Sequence, residues 1–500
     1  MLLTDIIKKI DIEYKVLSFN SFNDITDIVH NSRKSNQQTI FTAIKGFKTD
    51  GHLFINDCYQ NGCRDFIIED ESKIGKNILN DSTVIVVKNT RRALGKMSAI
   101  LFDFPADKLK IVGVTGTKGK TTVTTLIHHI INNEKKTSMF STVKNYIAGE
   151  YFDAQRTTME SNELSRLLKR SFDKNDKVSV IEVSSHAVTL DRIIGINFDV
   201  GVFTSFSQDH LDLYGSMDKY FDAKLGFFRM LNNSTKENKI AVINMDDPRG
   251  GDVVSIVSDD VRAIKVGSQE NCDYYIKNFQ LIDKGMKIKL YNNSKEYEFV
   301  TQMRGKFNIT NISLAIAVVM ELGFSYEKIK TALENFKGVD GRFEIIQNEP
   351  FTIIIDYAHS PGSLEKILIE AKALSKNRVL LVFGCTGERD RDKRQIMGKI
   401  ASEYSDYTII TNDDTYSEDP FKIAKEVEVG FLESDKTLDN DYLIILDRKD
   451  AIRNIIEKAK NGDVIVIAGM GHEKVQILAN GSVPYNDKET VLGLLKQPDV

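Results

Sequence analysis

The chain reads as an α/β protein of three modules built on largely parallel sheets. Three observations predict this. Its 500 residues exceed what one hydrophobic core usually organises. A short apolar strand, a glycine-rich turn and a helical stripe follow one another across residues 110–130. The last third alternates strand-like and helix-like runs without interruption. In chain order, the first module shows apolar runs at 39–44, 65–68 and 83–87, separated by turn pairs Lys45-Gly46 and Asp50-Gly51. Pro105 and Asp107 mark a junction. The middle module opens with a strand at 111–114, and Val123, Leu126, Ile127, Ile130 and Ile131 then recur at helical spacing. Buried-looking strands at 178–183, 200–203 and 240–243 each run into polar residues. The final module has strands at 352–355, 379–383, 407–410, 442–446 and 464–468. Helices at 362–376, 391–403, 420–432 and 448–460 separate them, the pattern of a doubly wound, Rossmann-like parallel sheet. The expected boundaries are 1–106, 107–340 and 341–500.

Composition narrows the classes. With 41% hydrophobic and 28% charged residues, the chain is an ordinary globular one, and a net charge of −4 makes no case for nucleic acid or an anionic membrane as partner. Four scattered cysteines without a CxxC pair suit a reducing compartment, with Cys385 expected in a core rather than as a nucleophile. The N-terminus lacks a long apolar region and no run could span a bilayer, so a cytoplasmic protein without membrane insertion is expected.

The turn in GVTGTKGKTT has the residues a nucleotide's phosphates need. Gly116, Thr117, Lys118 and Gly119 offer backbone N–H groups. Lys120 supplies a point charge, and Thr121 and Thr122 open a helix whose N-terminus favours anions. Val114 stands where the common phosphate loop has glycine, so this is a variant. Strand ends in open α/β sheets converge on ligands, which draws attention to Glu182, His210 and Asp356. Glu182, in an apolar setting, is either a Mg²⁺ ligand beside Thr121 or a carboxylate bonded to neighbouring backbone N–H groups. By itself His210 reads as a structural histidine and Lys224 as a surface lysine. Arg342, at a module junction, either reaches phosphates or makes an interdomain salt bridge.

Taken together, these residues sit in a series of strings that resembles the Mur ligase family over nearly the whole chain. In order they are NSR with Gly46 and DGHLFI, GVTGTKGKTT, RTTMES, EVSSH with Arg192, FTSFSQDHLDLYGSMDKYFDAK, INMDDP, GKFNITN and GVDGRFE. DYAHSPGSLEKIL, VFGCTGERDRDKR, TNDDTYSEDP, GMGHEKVQ and YNDKE follow. The likeness is to members that add the third amino acid of the peptidoglycan stem peptide. It implies that the first module holds the UDP end of the substrate, through Ser32. It implies ATP and Mg²⁺ on Lys120 and Thr121, with Asn308 at adenine, Asp356 at ribose and Arg342 at phosphate. Thr157, Thr158, Ser184 and Arg192 would hold the muramoyl-dipeptide. Glu182, His210 and a carbamylated Lys224 would ligate metal.

Departures from the family pattern are Met159-Glu160 for Pro-Asp, Leu190 for glutamine, Asp340 for proline and Met470 for lysine. A further one bears on specificity. Diaminopimelate-adding members carry Asp-Asn-Pro-Arg where this chain has Asp413-Asp414-Thr415-Tyr416. Two acids without the arginine suit a distal ammonium lacking a carboxylate, as in lysine or ornithine. Arg389, Gly469 and Glu473 complete the expected amino acid site. The resemblance thus implies a monomeric ATP-dependent ligase joining a diamino acid, L-lysine favoured, to UDP-MurNAc-L-Ala-D-Glu. Rival readings are the same reaction with meso-diaminopimelate or ornithine, a folylpolyglutamate synthetase-like ligase, and a P-loop ATPase or switch.

Overall fold

A computed structural model describes residues 1–46, 49–154, 156–282 and 285–496. Three main sheets carry strands within 14–87, 110–301 and 344–468. The first has five strands. Asp27–Val29, Thr39–Thr42, Asp65–Ile68 and Thr83–Val87 run parallel, and Tyr14–Ser18 closes one edge antiparallel. His52, from DGH, is buried and locks a loop here: its Nδ1 meets Asp50 Oδ1 at 2.6 Å and its Nε2 accepts from Glu69 N–H at 3.0 Å.

The central sheet has eleven strands. Its parallel heart runs Tyr274–Ile282, Val261–Gly267, Lys239–Asn244, Val200–Phe203, Lys110–Thr115, Val178–Glu182, Thr137–Phe140. The inner strands are buried along their lengths because helices cover both faces, as continuous apolar runs require. The helix Lys120–Asn132 packs Val123, Leu126, Ile127 and Ile130 into this core. Antiparallel ribbons extend both edges: Gly285–Asn292 with Lys295–Thr301 on one side, Lys144–Ile147 with Glu150–Asp153 on the other. The apolar runs did not foretell these ribbons.

In the third sheet Glu344–Gln347 pairs antiparallel with Thr352–Asp356, and parallel strands Val464–Ala468, Val379–Phe383, Tyr407–Ile410 and Tyr442–Ile444 follow. Cys385 is 3% exposed in this core, as expected of a packing residue, and all four cysteines are free thiols. Asp340, where the family pattern has proline, pairs with Lys144 of the central unit at 2.9 Å and lies 3.8 Å from Lys488. Among the described residues no helix is long and apolar enough to cross a membrane.

Candidate active site

The glycine loop leaves the strand Lys110–Thr115 and is clamped by the next strand end. Thr117 N–H donates to Ser205 O (2.7 Å) and Lys118 N–H to Ser205 Oγ (3.0 Å), while Thr204 Oγ1 donates to Lys118 O (2.6 Å). Gly116 and Gly119 have φ of 150° and 88°. A side chain at Gly116 would overlap Thr204 Oγ1, and one at Gly119 would overlap Asn311 Oδ1. Gly116→Ala is therefore expected to destabilise the central unit by about 1–3 kcal/mol, the usual cost of overpacking. It should also weaken ADP binding more than tenfold. Calorimetric unfolding and ADP titration check this, and wild-type ADP affinity in the variant would refute the close-approach argument.

Cationic groups crowd the loop. Lys120 Nζ donates to Gly116 O (2.9 Å) and Thr117 O (3.0 Å), and Lys224 Nζ donates to the same Gly116 O at 2.8 Å. Lys224 is 2% exposed, so it is no surface lysine. Burial and then the neighbouring Lys120 push its ammonium well below the usual lysine range. Burial also lowers Lys120. Lys118 falls to about 8, through desolvation first, although Asp209 at 3.8 Å opposes the shift. A polyphosphate would relieve this mutual repulsion, which makes the cluster an anion site.

Tyr220, which the sequence reading passed over, organises the far side. Its hydroxyl meets Thr117 Oγ1 at 3.1 Å, Lys224 Nζ lies 4.5 Å from its ring centroid, and the His210 ring stands edge-on at 5.7 Å. Tyr220 and Lys224 are one helical turn apart on Met217–Asn232, and that i, i+4 spacing was the available signal. His210 begins a short helix with φ 51° and is exposed.

Glu182 is fully buried at its strand end. It accepts from Thr142 N–H (2.9 Å) and Thr142 Oγ1 (3.0 Å). So the backbone-bonded arrangement is what this state displays. Yet among the described residues it has no ion pair, and a buried carboxylate without a cation has lone pairs left for one. Among the described residues no three His, Cys, Asp or Glu side chains converge to hold a metal. A Mg²⁺ set here would depend on Thr121 and a modified Lys224.

The predicted dipeptide residues form one connected network on Glu182. Thr142 Oγ1 lies 3.1 Å from Thr157 Oγ1, Thr158 Oγ1 donates to Glu182 O (2.7 Å), and Ser184 N–H to Thr158 Oγ1 (3.1 Å). Arg192 Nη1 reaches Thr158 O (3.4 Å) and its Nε donates to Glu160 (2.9 Å). Glu160, 5% exposed, also pairs with Arg156 (2.6 Å) and with Arg91 from the first unit (3.3 Å). Ser32 lies on the turn Ser32–Lys34. Close by, a cavity of 240 Å³ is lined by His30, Asn31, Lys34, Arg156, Asn162 and Arg166 among others. His30 Nδ1 is buried there with no partner.

The third unit closes over the loop. Lys118 Nζ donates to Ser360 Oγ (3.0 Å). Arg342 makes no ion pair among the described residues, so the interdomain salt bridge expected as one of its two roles is not seen. Its guanidinium lies 4.6 Å from the Tyr357 ring centroid and its Nε is buried without a partner. Asp356 Oδ2 accepts from Phe343 N–H (2.7 Å), and burial raises its carboxyl against the pull of Arg342. Asn308 reaches the loop indirectly: its Oδ1 accepts from Asn311 Nδ2 (3.0 Å), and Asn311 touches the Gly119 turn.

At the strand ends of the third sheet, Asp413 is 6% exposed and its Oδ1 accepts from Asp414 N–H (2.6 Å). Asp414 Oδ1 accepts from Ile477 N–H (2.8 Å). Burial raises Asp414 and Glu473; Asp413 adds to the first shift, and Asp414 and Asp413 add to the second. A side chain at Gly469, φ 114°, would overlap Asp413 Oδ2. Arg389 is exposed, 5.9 Å from the Tyr416 ring centroid. One face thus carries a phosphate loop with excess positive charge, a hydroxyl and arginine network, and an acidic pocket.

Family models match two stretches: the Mur ligase middle domain at residues 114–319 and the Mur ligase glutamate ligase domain at 341–471. A curated relative is the UDP-N-acetylmuramoyl-L-alanyl-D-glutamate–2,6-diaminopimelate ligase of Clostridium perfringens (strain 13 / Type A). It is 38% identical over 99% of this chain and 100% of its own. A solved structure of a ligase of the same name has a TM-score of 0.66 at 26% identity, covering 94% of each chain. The MurF ligase of Thermotoga maritima in complex with ADP has a TM-score of 0.64 at 18% identity, covering 94% of this chain and 96% of its own. That last likeness speaks for the fold alone.

Proposed function

Because the chain belongs to the Mur ligase family, we infer that it is an ATP-dependent ligase joining a diamino acid to UDP-MurNAc-L-Ala-D-Glu. The observation that carries this is the arrangement of the strand ends: the phosphate loop, Ser184 and the acids Asp413 and Asp414 each follow the carboxyl end of a parallel strand, and Thr158 and Arg192 are hydrogen-bonded to the Glu182–Ser184 end. A D-glutamate carboxylate oxygen attacks the γ-phosphorus of ATP, and ADP leaves. The amine nitrogen then attacks the acyl carbon of the acyl phosphate, inorganic phosphate departs, and the nitrogen loses a proton. Lys120 holds the transferring phosphoryl oxygens. Arg342, with an unpaired buried Nε, donates to phosphate from the third unit. The cavity beside Ser32, where Lys34, Arg156 and Arg166 outnumber the one acid Glu163, suits the diphosphate of the UDP end. Closure of the third unit, through contacts such as Lys118–Ser360, excludes water that would hydrolyse the acyl phosphate.

Thr121, Glu182, His210 and a modified Lys224 would hold Mg²⁺, which would neutralise phosphate charge. Lys224 can become a ligand by carbamylation: its neutral amine nitrogen bonds the carbon of CO₂ and releases a proton, leaving a carbamate anion. Its burial and lowered basicity favour the neutral amine this step needs. The functional units are taken as 1–106, 107–340 and 341–500, acting as a monomer.

L-Lysine is the favoured substrate. Asp413, Asp414 and Glu473 offer charge-assisted bonds to an ammonium and would repel a distal carboxylate, whose unpaired burial costs about 1–3 kcal/mol or more. The second reading is meso-diaminopimelate, favoured by the names of the relatives and by Arg389 beside Tyr416. ADP release dependent on both the UDP-MurNAc-dipeptide and an amino acid tests the ligase. Comparing kcat/KM for L-lysine, ornithine and meso-diaminopimelate tests the specificity. L-Lysine is expected to lead by tenfold or more, as one unpaired buried charge implies. A preference for meso-diaminopimelate would overturn the specificity alone.

A further inference from the structure

Behind the acidic pocket lies an ion pair sealed from water. Arg448 opens the helix Arg448–Lys458 and Asp487 opens the C-terminal helix Asp487–Leu495, and both side chains are 0% exposed. The pair is bidentate: Arg448 Nε donates to Asp487 Oδ1 and Nη2 to Oδ2, each at 2.8 Å. Two of the three remaining guanidinium protons go to two strand ends. Nη2 donates to Ala468 O (2.9 Å) and Nη1 to Asn412 O (3.3 Å), the residues just before Gly469 and Asp413. The segment that carries Asp487 also holds the third acid. Asn486 Nδ2 donates to Glu473 O (2.9 Å), Tyr485 N–H to Lys474 O (3.1 Å), and Tyr485 Oη to Asp487 Oδ1 (2.9 Å).

We propose that Arg448 and Asp487 are positioning residues that fix the relative placement of Asp413, Gly469 and Glu473, and thereby set affinity for the diamino acid. The inference rests on assigning that pocket to the amino acid. The strands Tyr407–Ile410 and Val464–Ala468 flank Val379–Phe383 on opposite sides and have no direct ladder between their ends. One planar guanidinium spans both, and its fork geometry is why lysine would not substitute. Burial works against the Arg448 charge, but Asp487 holds it protonated and Asp413 adds to that hold.

Removing one member of a buried pair strongly destabilises a protein, whereas replacing both by apolar groups of similar volume is often neutral. The test therefore uses the double variant Arg448→Met/Asp487→Leu, with Asp487→Asn and Arg448→Lys beside it, in the full-length protein. The expected result for the double variant is an unfolding temperature near that of wild type. KM for the diamino acid should rise about 10–100-fold, the scale of sub-ångström to ångström misplacement, with KM for ATP and the UDP-dipeptide within twofold. Arg448→Lys is expected not to restore KM. An unchanged diamino acid KM in a folded variant would overturn the proposal. So would an equal loss for all three substrates, or failure of all variants to fold, since either assigns the pair a purely structural role. Wild-type protein inactive with every diamino acid would instead indict the ligase reading.

Discussion

Lys120→Ala is expected to lower ligation by at least about 10²-fold, measured as ADP release with all three substrates present. Phosphoryl transfer has little covalent chemistry for a protein to perform, so charge placed at the transferring group dominates, and single such groups are worth about 10²–10³-fold. Lys120 sits where the loop meets its helix, and among the described residues its Nζ bonds only the loop carbonyls of Gly116 and Thr117. Both carbonyls are acceptors, so removing the ammonium leaves no buried donor stranded, and the variant should fold. The phosphates of ATP offer a better partner than either carbonyl. An activity within about tenfold of wild type, at saturating ATP, would remove Lys120 from the mechanism.

Lys224→Ala should be comparably impaired, and Lys224→Glu should recover part of the activity. A glutamate restores an anionic oxygen near the place a carbamate would occupy, on a shorter stem. Stability should move the other way. A lysine lowered in the folded state binds fewer protons folded than unfolded, so below pH 10.5 its burial opposes folding, and this opposition fades as pH rises towards 10.5. Lys224→Met, which fills the space without the charge, is therefore expected to be at least as heat-stable as wild type at pH 7 while inactive. Electron density for a bare ammonium in a nucleotide-bound crystal equilibrated with bicarbonate would count against the carbamate.

The phosphate loop was legible because two local signals coincide there: glycines at fixed offsets and a switch from strand to helical periodicity. The third sheet was legible because strands buried on both faces write continuous apolar runs, as in Val379–Phe383 and Val464–Ala468. The edge ribbons were not. Glu150–Asp153 is mostly exposed and the second half of Tyr274–Ile282 faces water, so neither writes an apolar run. The resemblance named Arg192, yet nothing in RTTMES reveals that Glu160 gathers Arg91, Arg156 and Arg192. That cluster joins residues far apart in sequence. Lys224 shows the limit most clearly. Its sequence neighbours suit a surface helix, and only the packing of that helix under the Gly116 loop buries it.

The boundary between the central and third units has a graded chemistry. At the linker, the Phe307 and Phe343 rings meet edge to face with centroids 5.7 Å apart. Further out the contacts are polar: Lys118–Ser360 and Lys474–Asp153. Exposed ion pairs are worth about 0–1 kcal/mol, and physiological salt screens charges beyond about 8 Å. Separating the rim therefore exposes little oily surface and forfeits little energy, while the ring pair keeps the two halves in register. Such a seam would serve as a pivot with a weak clasp, which a bound nucleotide would hold shut and whose release would free the product.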